Sequence, residues 1–443
     1  MTSIACLSQT LLRVLTTTAD TAAQETGFIR RQRRLTGSGF VLTLVLAWLS
    51  NPETTVKQLA QRAAALGMRL SPQALDGRFT RAAAACLRQV LEAAVQQIVE
   101  GNPVLIPLLQ RFSAVAVYDG STIALPAALA SEWPGCGGST PTAGAAALKL
   151  QPRLDLLRGR LDLLELQAGR AQDQTAQSQT VPLPPETLTL FDLGFFALDM
   201  LAARLAAGVH WLCRPKLHTV VFAFDARWTL AALLAAKCAQ RLDLPIALGL
   251  RHRLPCRLLA LRLPPEVVAL RRHRLVEAAR REQTVPSADQ LALAAWAVFV
   301  TSLPAERLSL PEALTLYRLR WQIELLFKLW KSHGAVDRSR STKPWRVLCE
   351  VYAKLLAMLI QHWLLLVSCW SFTDKSLWQA AQTVRAHALL LLPAFRTHSL
   401  RRLREALRLL QETIAAGCRM DTRRTHPNTY QLLLALTADQ EML

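Results

Sequence analysis

Apolar positions along this chain switch between two periods. From residue 37 to 100 they recur every three or four residues in Ala- and Leu-rich stretches, the spacing of helices that bury one stripe. Within that segment, Thr55 to Leu66 predicts one amphipathic helix and Gly67 a turn. Ser71-Pro72 then gives an N-cap, with Pro at the first helical position, before a second helix over Ala74 to Arg81. Helix, short Gly turn and helix is the outline of a helix-turn-helix DNA-contacting unit, and ordinary helical hairpins share it. At Ser113 the period becomes two. Ser113 to Tyr118 predicts a strand that ends in a turn at Asp119-Gly120-Ser121. A Gly/Pro/Ser-rich loop follows (Trp133 to Pro141), and then Ala145 to Leu157 and Leu161 to Gln167 flank Arg158-Gly159 as a hairpin. Thr187 to Phe191 is a short strand reaching Asp192-Leu193-Gly194. Phe195 to Ala207 reads as a helix and Val209 to Arg214 as a further strand. Such an order is mixed α/β rather than a strict βαβ repeat.

Residues 217–295 have another texture. Short apolar strands (Ile246 to Leu250, Arg257 to Leu263) alternate with basic helical pieces such as Leu270 to Arg281, so the segment reads as an insertion. Trp296 to Thr301 resumes the strand pattern, and Leu310-Pro311-Glu312 opens a long helix running through Lys331. Beyond Thr342-Lys343-Pro344 the chain is helical again, with basic pieces at Ser399 to Arg408 and Arg423-Arg424. No internal repeat is evident.

The Leu310–Lys331 helix carries the most specific pattern in the chain. At about 100° per residue, Tyr317, Arg320, Glu324 and Lys331 fall on one stripe roughly 60° wide, and Lys328 joins it. Ile323, Leu326, Phe327, Leu329 and Trp330 take much of the other side. One carboxylate thus stands among cations along about 20 Å of helix. That suits a catalytic acid beside phosphate-binding groups, although a solvated charged face has the same look.

Composition narrows the partner. Lys and Arg total 52 against 32 Asp and Glu in 443 residues, a net charge of +20 that a polyanionic partner would offset. A membrane span is not expected, because Phe40 to Leu49 is short and Leu355 to Trp370 carries Gln361 and His362. No basic n-region with an apolar core opens the chain, so no secretory signal is expected either. Nine scattered cysteines without a CxxC pair argue against a disulfide framework or zinc site and suit a reducing cytoplasm.

Two further carboxylates share a context. Val115, Val117 and Asp119 lie on one strand face, as do Leu188, Leu190 and Asp192, so each Asp comes at the carboxyl end of an apolar strand. If the strands are neighbours and the helix packs across them, Asp119, Asp192 and Glu324 converge. Three carboxylates suit two Mg²⁺ ions that would activate a water or 3′-hydroxyl and stabilise a leaving oxygen. An Asp before Gly is also an ordinary turn residue. Asp155, Asp162, Asp199 and Asp225 lack the strand-end context. Asp173 lacks it too, but Gly169 to Asp173 could border the same cleft. His333 reads as a helix terminator, and Trp296 and Trp321 as packing residues rather than base-stacking ones, although either could do both.

Tyr317-x2-Arg320-x3-Glu324-x6-Lys331 resembles the Tyr-Arg-Glu-Lys signature of the bacterial DDE transposases of the fourth insertion-sequence family. Asp119-Gly120-Ser121-Thr122-Ile123-Ala124-Leu125-Pro126 is similar to that family's first-Asp motif, Asp192-Leu193-Gly194-Phe195 to its second, and Glu324 through Ser332 to its third block. The resemblance spans roughly residues 110–370. It implies an α/β fold: a ribonuclease-H-like mixed-sheet core with a partly β insertion, flanked by helical N- and C-terminal regions. The expected parts are a helical DNA-binding region over 1–108, a catalytic domain over 109–335 with its insertion at about 217–295, and a helical region over 336–443 for DNA contact or dimerisation. It further implies that Asp119, Asp192 and Glu324 are metal ligands and catalytic residues, and that Tyr317, Arg320 and Lys331 contact DNA; Lys328, on the same stripe, is expected to contact DNA with them.

The function expected is therefore a transposase that binds terminal inverted repeats, cleaves the ends with Mg²⁺ (Mn²⁺ substituting) and joins 3′-hydroxyls to target DNA. Double-stranded DNA is the expected partner, a homodimer the expected synaptic form, and the bacterial cytoplasm, at the nucleoid, the expected location. Two rivals remain: a metal-dependent nuclease without strand transfer, and an inactive DNA-binding regulator derived from a transposase.

Overall fold

The structure, a computed structural model, describes residues 2–31, 35–137, 144–176, 179–237, 239–420 and 431–435. Arg423-Arg424, Cys238 and part of the Trp133–Pro141 loop lie outside the described residues. The strands are β1 (Val115–Tyr118), β2 (Ser121–Leu125), β3 (Ala146–Asp155), β4 (Leu161–Ala168), β5 (Leu188–Phe191), β6 (His210–Cys213), β7 (Val221–Ala223), β8 (Ala226–Trp228), β9 (Arg241–Leu248), β10 (Leu254–Arg262) and β11 (Trp296–Thr301). They form one mixed sheet. Its first part runs β4-β3-β1-β5-β6, with β4, β3 and β1 successively antiparallel and β1, β5 and β6 parallel. That order is ribonuclease-H-like, as expected of the core. β11 pairs antiparallel with β6, and the sheet continues through β10, β9, β7 and β8. The chain between β6 and β11 therefore leaves the sheet edge and returns beside it, adding four strands and the basic helix Pro265–Arg281 on the way.

One expectation needs correcting at the first Asp. Asp119-Gly120 does not turn the chain back. β1 and β2 pair with the same strand β3 in the same register, since Tyr118 faces Arg153 and Ser121 faces Leu150. Asp119 therefore stands opposite Pro152, which has no N–H to give, and the ladder opens there without changing direction.

Period-2 alternation sorts the sheet's side chains into two cores. Val115, Val117, Leu188 and Leu190 join the helical side, which includes Leu316, Leu319, Ile323, Leu326 and Phe327. Ala116, Tyr118, Phe191, Trp211 and Cys213 pack on the opposite face with Leu201, Leu230 and Leu233. The N- and C-terminal helices belong to the first core. At its centre lies Pro344–Ser368, 25 residues long and apolar enough to cross a membrane by length and composition alone; 94% of that apolar stretch is buried inside the fold. It packs against Gly37–Ser50 and Arg81–Val95. His362 Nε2 donates to the Gly159 carbonyl (2.7 Å) and Trp370 Nε1 to the Leu156 carbonyl (3.3 Å), which ties the helical side to the β3–β4 hairpin. Burial holds the His362 imidazole neutral, with a pKa of about 4.

The N-terminal helical outline also departs from expectation. Val56–Ala65 is capped by the Thr55/Gln58 box, but the next helix is only Pro72–Asp76. Gly77 closes it, and Thr80 caps a new helix, Arg81–Val95, whose Ala83 N–H it receives at 3.2 Å.

Candidate active site

Parallel pairing of β1 with β5 matches Tyr118 to Phe191. The next residues are Asp119 and Asp192, so the two carboxylates leave adjacent strands flush, about one strand spacing (~4.8 Å) apart in backbone. Both follow residues whose alternation points them to the helical side, where Glu324 lies. Behind them, the buried Arg204 guanidinium lies over the rings of Tyr118 and Phe191, 4.9 and 5.0 Å from their centroids.

The helix bearing Glu324 is not continuous. Leu310–Tyr317 is opened by the Ser309/Glu312 capping box, Arg318–Arg320 is a 3₁₀ turn, and Trp321–Ser332 resumes the α-helix. Three residues at 120° instead of 100° add about 60° of rotation, so the uniform stripe holds on each side of the turn rather than through it. Tyr317 and Arg320 nevertheless reach the site through their own contacts. The Tyr317 hydroxyl donates to the Phe191 carbonyl (3.2 Å). Burial and the nearby Asp192 raise its pKa far above the usual phenol range, so it stays protonated.

Arg320 is the hub. Its guanidinium donates to Glu324 Oε1 at 2.6 Å and lies 3.7 Å from Asp119 Oδ2. Burial works against its charge, but Asp192, Glu324 and Asp119 outweigh that and hold its pKa above the ordinary value. Asp119 feels the opposite balance. Burial pushes its carboxyl from 3.8 to about 6; the Gly120 N–H (2.8 Å) and Arg320 pull it down, while Glu324 and Asp192 push it up. The three acids thus interact electrostatically around a single guanidinium. They are hard oxygen donors carrying more negative charge than Arg320 neutralises, which is the chemistry that suits a divalent cation. Among the described residues, no three His, Cys, Asp or Glu side chains are gathered closely enough to hold a metal ion as they stand.

The remaining signature residues divide. Lys331 Nζ approaches the Thr122 carbonyl on β2 at 3.4 Å, on the site's flank. Lys328 instead lies 5.5 Å over the Trp378 ring. His333 caps the helix end, buried against Trp378 (4.1 Å between ring centroids). Trp296 is packed, as expected, but Trp321 is 63% exposed at the start of the Glu324 helix. Its packing role is corrected: on the same helix as Ile323 it stands about 160° around the axis from the apolar stripe, on the charged side. Asp173 is the residue sequence reasoning left open. Its carboxylate sits against Gly120 and Gly194, bound by Lys149 (2.6 Å) and Gln151 (2.9 Å).

Known proteins are similar to this chain in sequence. The family described as a transposase DDE domain matches residues 111–360. The transposase for insertion sequence element IS231F of Bacillus thuringiensis subsp. israelensis is 28% identical over 362 residues, 76% of this chain and 75% of its own. That for IS231C of Bacillus thuringiensis subsp. berliner is 27% identical over 378 residues, 80% of this chain and 78% of its own. The transposase for IS421 of Escherichia coli is 26% identical over 351 residues, 76% and 88% of the two chains. With more than half of its length matching the domain, the chain belongs to the DDE transposases, enzymes that cleave DNA and transfer its strands.

Proposed function

We propose that this protein is the transposase of a bacterial insertion sequence, which binds the element's terminal inverted repeats, cuts there and joins the freed 3′-hydroxyls to target DNA. The observation that carries this is the flush β1/β5 register, which sets Asp119 and Asp192 side by side, with Glu324 coupled to both through Arg320. In this reading Asp119, Asp192 and Glu324 are the catalytic carboxylates and would hold Mg²⁺, with Mn²⁺ able to substitute. The metal would supply charge stabilisation at phosphorus and a more acidic water or hydroxyl.

The chain's own groups do the rest. Arg320 and Lys331 bind phosphodiester oxygens beside the acids, so Arg320 exchanges a carboxylate for a phosphate when DNA arrives. Lys328, farther along the helix, adds a contact to the DNA backbone. Tyr317 stays protonated and holds the end of β5 by its hydroxyl; it is not a nucleophile. Water attacks phosphorus in line and the 3′-oxygen leaves as a hydroxyl. That hydroxyl then attacks a target phosphodiester, so one P–O bond forms for each one broken and no covalent enzyme intermediate is needed.

Two ends must be handled together, which makes a homodimer the working form. Residues 1–108 form the DNA-binding helical region, 109–335 the catalytic domain, and 336–443 a helical region for DNA contact or dimerisation, acting on nucleoid DNA in the cytoplasm. The test is strand transfer with pre-cleaved duplex ends taken from the DNA flanking the coding region. Joined product with Mg²⁺ is expected from the native chain and none from Asp119→Ala. Cleavage without any joining would reduce the protein to a nuclease, and equal cleavage by Asp119→Ala would end the assignment of the site.

A further inference from the structure

Gly120 and Gly194 each stand next to a proposed catalytic Asp, and neither needs to be glycine for its backbone, since neither has a positive φ. What crowds a side chain at both positions is Asp173, joined at Gly120 by Lys149 Cε (3.3 Å). A Cβ on Gly120 would meet Asp173 Oδ1 at 3.1 Å, and one on Gly194 would meet Oδ2 at 2.9 Å. Each oxygen of one carboxylate therefore seats against a different acid-bearing segment: Oδ1 against Asp119-Gly120, Oδ2 against Asp192-Leu193-Gly194. The carboxylate is held through its Oδ1. Lys149 Nζ holds Oδ1 at 2.6 Å while also donating to the Ala171 carbonyl (2.8 Å), and Gln151 Nε2 donates to Oδ1 at 2.9 Å. Gln151 is fully buried on β3, in line with Gly120 across the ladder.

We propose that Asp173 is a positioning residue: a braced carboxylate wedged between the ends of β1 and β5 that sets the separation of Asp119 from Asp192. The proposal rests on the reading of those two acids as the metal-holding pair. Asp173 is an ill-suited ligand or base itself, because Lys149 already neutralises the oxygen that Gln151 also binds. Its shape and its hydrogen-bond acceptor matter, not its free charge. Groups behind metal ligands characteristically change metal affinity by roughly 10–100-fold when removed.

The test uses the full chain without DNA and titrates Mn²⁺ by calorimetry or by the loss of the free-ion paramagnetic resonance signal. Asp173→Ala should weaken Mn²⁺ binding at least about tenfold. Asp173→Asn, which keeps the shape and one acceptor oxygen, should recover most of it. Gly194→Ala should weaken binding on its own, and the double variant Asp173→Ala/Gly194→Ala should be no worse than Asp173→Ala, because the clash partner is gone. Native Mn²⁺ affinity in Asp173→Ala or in Gly194→Ala overturns the proposal. So does an Asn variant as impaired as Ala, which would make the charge, and hence direct ligation, the operative property. Should Asp173→Ala fail to fold, Gly194→Ala and Asp173→Asn decide. Asp119→Ala separates the two levels: if it binds Mn²⁺ normally, the metal-site reading itself has failed, whereas if it loses Mn²⁺ while Asp173→Ala keeps it, only the wedge has failed.

Discussion

Replacing Asp119 with Asn should stabilise the metal-free protein while destroying its chemistry. Burial raises the carboxyl from 3.8 to about 6 despite help from Gly120 and Arg320, so the charged form is carried at a cost. At about 1.36 kcal/mol per pH unit, a rise of that size is about 3 kcal/mol at pH 8, where the group is ionised both folded and unfolded. The pKa is raised on folding, so the cost is complete above 6, shrinks as pH falls through 6 and vanishes below 3.8, where both states are protonated. For 443 residues, an unfolding entropy of about 2.1 cal/mol/K per residue makes 1 kcal/mol worth roughly 1 °C, so Asp119→Asn should melt about 3 °C higher at pH 8. Near pH 5 the gap should be about half as large. Differential scanning fluorimetry in chelator, at both pH values, measures it. Mg²⁺ should then raise the melting temperature of the native chain and not that of the variant. An Asn variant that melts at or below the native temperature at pH 8 would refute the argument that the fold bears an electrostatic penalty at this position.

Other outcomes follow from the same geometry. Cleavage should fall as pH drops through about 6, because a protonated Asp119 is a poor cation ligand; a rate flat down to pH 5 at low metal would contradict this. Arg320→Ala and Lys331→Ala should each reduce the salt slope of DNA binding by about one unit, read by fluorescence anisotropy across a salt series, and unchanged slopes would remove them from the phosphate contacts. Arg204→Ala should destabilise the fold by a few kcal/mol, since it strips the cation from over the Tyr118 and Phe191 rings and leaves Thr189 and Gln179 without their donor. Trp330→Ala, at a side chain 1% exposed, should cost about 3–5 kcal/mol in denaturant titration.

Much of this fold was legible because its sheet obeys a local rule. Alternation over Val115–Tyr118 and Leu188–Phe191 identified both strands and the face of the acids that follow, and the parallel register then made the two carboxylates neighbours. What escaped was set by partners distant in sequence. Asp119-Gly120 has turn composition, yet Pro152 across the ladder shapes it into an interruption of a straight strand. Nothing in the propensities of Arg318–Arg320 signals the 3₁₀ turn that interrupts the helix expected through Lys331. Lys328 fits the cationic stripe by spacing, and its place 5.5 Å over the ring of Trp378, fifty residues on, could not be read from the stripe. Asp173 lies in a polar segment without periodicity, so spacing alone does not set it against Gly120 and Gly194. The short strands Val221–Ala223 and Ala226–Trp228 are too brief to alternate visibly.

The strand that carries Asp119 resumes beyond it without losing step, and this gives the site a parity. Ten consecutive positions, 116 to 125, are counted off against 155 to 146 on one neighbour, so odd and even residues are committed to opposite sides of the sheet. Deleting or adding a single residue ahead of Asp119 would present Tyr118 or Gly120 to the guanidinium instead and bury the acid among aromatic rings. Lineages of this enzyme should therefore tolerate substitutions through this stretch far more readily than any change in its length.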